Sequence, residues 1–115
     1  MKFRLERDYL GAKKIPAPAY YGVQSQRAHD NFPICDLKLP PIFTTSYALI
    51  KKAATETNRE LDLLDHRKAA AIIRACNEMI SGRFKEEIIV GAFQAGAGTS
   101  QNMNVNEVIA NRAIE

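Results

Sequence analysis

Apolar residues recur at helical spacing in three stretches of this chain, and a proline-rich segment without that spacing precedes them. In the first stretch Ile42, Phe43, Tyr47, Ile50, Ala53, Ala54 and Leu61 mark one side of a helix of about twenty residues. Pro40 and Pro41 open it, because a proline in the first turn gives up an N–H that would have had no partner. Lys51, Lys52, Glu56, Arg59 and Glu60 fall on the other side, which reads as a solvated face with ordinary helix pairing.

The second stretch has both ends marked. Asp65 is a good N-cap, Ala69, Ile72, Ile73, Cys76, Met79 and Ile80 form the stripe, and Gly82 suits a left-handed C-cap. The short connection near Leu61 to Leu64 predicts an antiparallel hairpin of these two helices. Burying Ile72 or Ile73 between them would stabilise the fold by about 2 to 3 kcal/mol each. An irregular segment with Phe84 and Ile88-Ile89-Val90 follows. A third helix then starts near Gly98, with Val105, Val108, Ile109, Ala113 and Ile114 as its stripe. It shows no stop signal, so the element is expected to continue past Glu115.

Residues 1 to 40 hold Pro16, Pro18, Pro33 and Pro40. They read as an extended, wrapping arm with room for one short helix near Gln24 to Asn31, and Tyr20, Tyr21 and Phe32 supply area for docking. The expected fold is therefore all-α, one domain over 1–115, with the arm at 1–40 and helices at 41–115.

Composition narrows the partners. The 115 residues carry 16 basic and 13 acidic side chains, a net charge of +3, with no basic run interleaved with aromatics, so nucleic acid is not expected. No stretch has the length of a membrane helix, and the charged start lacks a signal-peptide core, so no membrane partner and a cytoplasmic location are expected. Cys35 and Cys76 are too far apart for a zinc pair and read as reduced thiols. His29 and His66 each have a neighbouring aspartate, yet adjacent residues rarely converge on one ion, so neither a metal nor another cofactor is indicated.

The chemistry is concentrated at Gly96-Ala97-Gly98-Thr99-Ser100, where a glycine turn enters the third helix. Gly96 and Gly98 can take positive φ, and Thr99 and Ser100 are preferred entry residues whose hydroxyls can bond early amides. Free N–H groups and the helix dipole make such a corner favourable for a carboxylate or phosphate, with an ordinary capped helix as the competing explanation. A P-loop would need a lysine after its second glycine and a dinucleotide fingerprint a third glycine, and both are missing. Beyond the turn, Asn104, Glu107 and Asn111 share one helix face. Those groups suggest either a partly buried, hydrogen-bonded surface or a plain exposed one.

The run from Gly96 to Ala113, GAGTSQNMNVNEVIANRA, closely resembles the N-terminal-domain signature of the aspartase/fumarase superfamily. Earlier segments match in the same order: Arg4-x-Glu6-x-Asp8-x-Leu10-Gly11, then Tyr20-Tyr21-Gly22-Val23-Gln24-Ser25-x-Arg27-Ala28, then Asn31-Phe32-Pro33-Ile34. The resemblance implies the first domain of a longer, mainly helical lyase, truncated here near its boundary, with a homotetrameric parent and the arm near subunit contacts. It also implies reversible anti-elimination from a dicarboxylic amino or hydroxy acid. Thr99 would contact the substrate carboxylate and leaving group through its hydroxyl, with the Gly98 and Ser100 backbone shaping the pocket.

Fumarases typically read Gly-Ser-Gly-Thr-Gln at this turn, whereas Gly96-Ala97-Gly98-Thr99-Ser100 is similar to the aspartase branch, so ammonia elimination from L-aspartate to give fumarate is the first expectation and fumarate hydration the second. Ser25, where the family more often has Thr, and Ala95, where aspartases often have Gly, are small departures. The family's Gly-Ser-Ser serine loop and Thr-His pair do not occur in these residues. No catalytic residue is therefore assigned within this chain, and the isolated 115 residues are expected to act as a non-catalytic helical module.

Overall fold

The computed structural model describes residues 1–115. Two antiparallel strands, β1 (Phe3–Asp8) and β2 (Gly11–Pro16), precede a short helix α1 (Val23–Asn31). Three longer helices follow: α2 (Pro41–Glu60), α3 (His66–Ile80) and α4 (Thr99–Ile114), with a 3-10 turn at Lys85–Glu87 between the last two. The helical expectation holds from residue 23 onward, and the strictly all-α expectation is corrected by the hairpin at 3–16.

The hairpin has a local cause. Burial alternates along residues 3–8 with a period of two, the polar Arg4, Glu6 and Asp8 facing inward while Phe3, Leu5 and Arg7 are exposed. Asp8 accepts from the Leu10 N–H at 2.9 Å across the turn, and Gly11 leaves it at φ +109°, a conformation glycine adopts without penalty. Arg4 then gathers the carbonyls of the following loop. Its guanidinium donates to Pro16, Ala17, Ala19 and Tyr21 oxygens at 2.6–3.1 Å and to Glu6. One arginine thus fixes the course of residues 16–21.

Helices α2 and α3 pack side by side, joined by residues 61–65. Both close with the same C-terminal motif. Gly82, at φ +94°, donates to Met79 O, and Arg83 donates to Glu78 O. Asp62, at φ +56°, donates to Arg59 O, and Leu63 to Asn58 O. Asp65 caps α3 as expected, accepting from the Lys68 N–H at 2.9 Å.

The core lies where α2, α3 and α4 meet: Ala48, Ala75, Cys76, Met79, Val105, Val108 and Ile109. Two expectations about it are corrected. Ile73 is only half-buried and lies outside the cluster, whereas Ile72 packs against it. On α2 the sides are reversed, because Ile42, Phe43, Leu49 and Ile50 are exposed while Lys51, Lys52, Glu56 and Arg59 are half-buried. The buried residues of α2 are the small Ala48 and Thr55, with Tyr47 half-buried against the core. The long polar side chains beside them are half-buried, and Lys51 Nζ reaches across to α4, donating to Asn102 Oδ1 at 2.6 Å.

Candidate functional site

The glycine turn is set by one glycine rather than two. Gly98 is the N-cap of α4 at φ +72°, ψ +13°, and its N–H closes the turn onto Ala95 O at 2.9 Å. A side chain at Gly98 would make only ordinary contact with the Tyr47 hydroxyl at 3.8 Å, so the left-handed backbone and not crowding calls for glycine. Gly96 has ordinary negative-side φ and open space around it.

Thr99 and Ser100 occupy the first two helical positions, Thr99 exposed and Ser100 half-buried. Their hydroxyls cap nothing. The cap is supplied by Gln94, a residue not singled out from the sequence. Its Oε1 accepts from the Gln101 N–H at 2.8 Å and its Nε2 donates to Gly91 O at 3.1 Å, so one amide spans the turn at both ends. Asn102 N–H bonds back to Gly98 O, which leaves the Thr99 and Ser100 amides as the free donors of the first turn. Residues 94–102 contain no titratable group. The turn therefore offers two N–H groups, two unengaged hydroxyls and the positive end of a 16-residue helix, which suits a carboxylate and supplies no base.

Two cavities flank this turn. One, of about 390 Å³, has Ala95 and Ser100 on one side and Tyr9, Gln24, Arg27 and Asn31 among the residues opposite. Arg27 is fixed at its edge by a two-pronged pair with Asp8 at 2.8 and 2.9 Å and a further bond to Gly11 O. Those hydrogen bonds hold the Asp8 carboxyl below its usual range and push Arg27 further up. The other cavity, of about 250 Å³, is lined by Phe43, Tyr47, Gln94, Gly96 and Gly98 among others. Gln101, also on its wall, is 2 % exposed and donates to Thr44 Oγ1 at 3.3 Å, while its Oε1 has no partner.

The amide face of α4 is the buried alternative, and it builds the frame behind the turn. Asn104 is fully buried, accepting from Ile89 and Val90 N–H and donating to Glu87 O. Asn111 donates to Tyr20 O at 2.7 Å. Glu107 accepts from the N–H groups of Gly22, Gln24 and Ser25 and from the Ser25 hydroxyl, all within 3.2 Å. With Glu6 taking the Val23 N–H at 2.8 Å, the N-terminus of α1 is already filled by two of the protein's own carboxylates. Of these two helix starts, only that of α4 is open to an external anion. The spacing of Asn104, Glu107 and Asn111 was the available signal; their distant partners were not.

No group of three or more His, Cys, Asp or Glu side chains could hold a metal ion, and no helix is long and apolar enough to cross a membrane.

A family model described as lyase matches residues 11–115. An aspartate ammonia-lyase from a Bacillus species is 49% identical over 112 residues, spanning 97% of this chain and 24% of the relative. A class II fumarate hydratase from Halobacterium salinarum is 48% identical over 113 residues, spanning 98% and 24%. Among solved structures, a fumarate lyase:delta crystallin from Brucella melitensis superposes with a TM-score of 0.95 at 47% identity, covering 98% of this chain and 27% of that one. The chain thus spans about a quarter of the length of the curated relatives it matches.

Proposed function

This chain belongs to the lyase family, and from that premise we propose that it is the N-terminal, carboxylate-binding part of an enzyme that reversibly eliminates ammonia from L-aspartate to give fumarate. The observation that carries the proposal is the open start of α4: a left-handed Gly98, free Thr99 and Ser100 amides, and hydroxyls with no partner inside the protein. Removing a proton from the carbon next to a carboxylate places a second negative charge on that carboxylate. Donors already fixed in place stabilise such charge more than mobile water does. Thr99 offers a hydroxyl to the carboxylate or the leaving amine, and Gly98 and Ser100 shape the pocket around it. The group that takes the carbon-bound proton lies outside these residues, in a longer protein that we further propose to be a cytoplasmic homotetramer.

The Gly-Ala-Gly-Thr-Ser turn favours ammonia as the leaving group. Hydration of fumarate is the second reading, supported by the Halobacterium fumarate hydratase at nearly the same identity.

Steady-state kinetics of Thr99→Val in the longer protein test the proposal. The substitution keeps shape and removes a donor, so the turnover number should fall by roughly two to three orders of magnitude. Because the hydroxyl caps nothing, stability should stay within about 0.5 kcal/mol of the parent. Normal turnover at unchanged oligomeric mass would remove Thr99 from the site.

A further inference from the structure

We propose that the cleft between the first turn of α2 and the C-terminal end of α3 binds a small, multiply charged oxyanion of the phosphate or short-dicarboxylate class. It is separate from the glycine turn, sharing only Leu39 with the cavity beside Gly98. The cleft encloses about 160 Å³ and brings together Lys38, Arg83 and Lys85, with Thr44 among its walls and Met79 and Ile88 as apolar surface; no acidic residue lines it.

These cations are poorly neutralised. Neither Lys38 nor Lys85 has a carboxylate within ion-pair distance. Arg83 shares Glu78 at 3.1 Å, but that carboxylate is already engaged by Arg112 at 2.7 and 3.0 Å. Like charges gathered at one small cavity repel, and a dianion between them relieves that repulsion where water and salt do so only partly.

Two of the three exposed cations, Lys38 and Arg83, are also held by partners within the protein. Lys38 Nζ gives one hydrogen to Ile89 O at 2.6 Å and keeps two. Lys85 folds back over Gly82, its Nζ 3.7 Å from where a Cβ would stand. Arg83 and Lys85 flank Phe84, whose left-handed backbone at φ +66° is a costly conformation for an aromatic residue. An edge-to-face contact with Tyr20, ring centroids 5.0 Å apart, anchors it. Thr44 Oγ1 accepts from Gln101, so its own proton is free for a ligand, whereas the Thr45 hydroxyl is spent on Pro41 O. Two ammonium groups, a guanidinium and a hydroxyl donor around a small cleft match an oxyanion's several acceptor oxygens.

Titration of inorganic phosphate into the isotope-labelled 115-residue chain, at ionic strength held constant with chloride, tests this by the amide shifts of Thr44, Gly82 and Lys85. Saturable shifts at those amides are expected. Lys38→Gln with Lys85→Gln should weaken binding roughly tenfold or more, and Thr44→Val, which alters no charge, about three- to tenfold. A parallel titration with succinate identifies which oxyanion the site prefers. Dispersed spectra of each variant establish that it is folded. Shifts that never saturate, or saturable binding untouched by the double substitution, would overturn the proposal.

Discussion

Thr99 and Gln94 divide the labour at the glycine turn, one presenting a donor and the other fixing the backbone that carries it. Gln94→Ala removes both bonds that span residues 91–101, so amide exchange at Gln101 should accelerate together with that of its neighbours, whereas Thr99→Ala should leave exchange there unchanged. Hydrogen exchange read by NMR separates the two roles. The cysteines make a second contrast. Cys76 is buried in the core and burial pushes its thiol up to about 11, while Cys35 is exposed. A thiol reagent at neutral pH should modify only Cys35 in the folded chain and both cysteines in denaturant. Rapid native labelling of Cys76 would mean that the α2–α3–α4 core opens readily.

Among the elements, α1 depends most on a distant residue. Its nine residues contain no side-chain cap of their own, and Glu107 on α4 receives three of the N–H groups at its start, along with the Ser25 hydroxyl. Glu107→Ala leaves the Gly22 and Ser25 donors part-buried and unpaired, at an expected cost of about 2 to 4 kcal/mol in urea unfolding. Glu107→Gln keeps one acceptor oxygen and should cost less; equal stability of all three proteins would show that water replaces the carboxylate freely. The helix hairpin gives a ranking. Met79→Ala, in the cluster, should cost about 2 to 5 kcal/mol, and Ile73→Ala distinctly less because that side chain is half-exposed already. The reverse order would misplace α3 by part of a turn.

For the molecule as a whole, acid stability should follow its ion pairs. Arg27 holds the Asp8 carboxyl, and Arg112 the Glu78 carboxyl, below their usual ranges. A carboxylate with a lower pKa folded than unfolded stabilises fully above its unfolded value, about 4, and loses that contribution as pH falls through the folded value. Stability should therefore decline below about pH 4, with a shallower decline in Asp8→Asn combined with Glu78→Gln; an unchanged slope in thermal melts would dismiss these pairs. The outward side of α2 has its own signature. A cavity of about 360 Å³ is bordered by Ile42, Phe43, Tyr47 and Ile50, with Ile42 63% and Ile50 62% exposed. Such a surface should bind an apolar fluorescent dye, and Ile42→Lys with Ile50→Lys should abolish most of that signal without lowering the melting temperature.

The sequence by itself determined the period and ends of the helices, because caps, prolines and apolar spacing are local: Pro41 at the start of α2, Asp65 before α3, Gly82 after it and Gly98 before α4 all stand where the residues indicated. It also carries the turn that marks Gly98, Thr99 and Ser100 as the candidate site. Only the tertiary structure decided which side of each element faces inward. A stripe on α2 records that one side is apolar, not which surface covers it, and here the small residues Ala48 and Thr55 pack inside while Ile42 and Ile50 remain outside. The same holds for polar groups. Whether Asn104 and Glu107 are solvated or buried depends on backbone N–H groups at Ile89 and Gly22, brought to α4 only when the chain folds. Gln94 could stand in for the expected Thr99 and Ser100 caps because the loop returns its amide to the helix start, an arrangement that residue spacing does not encode.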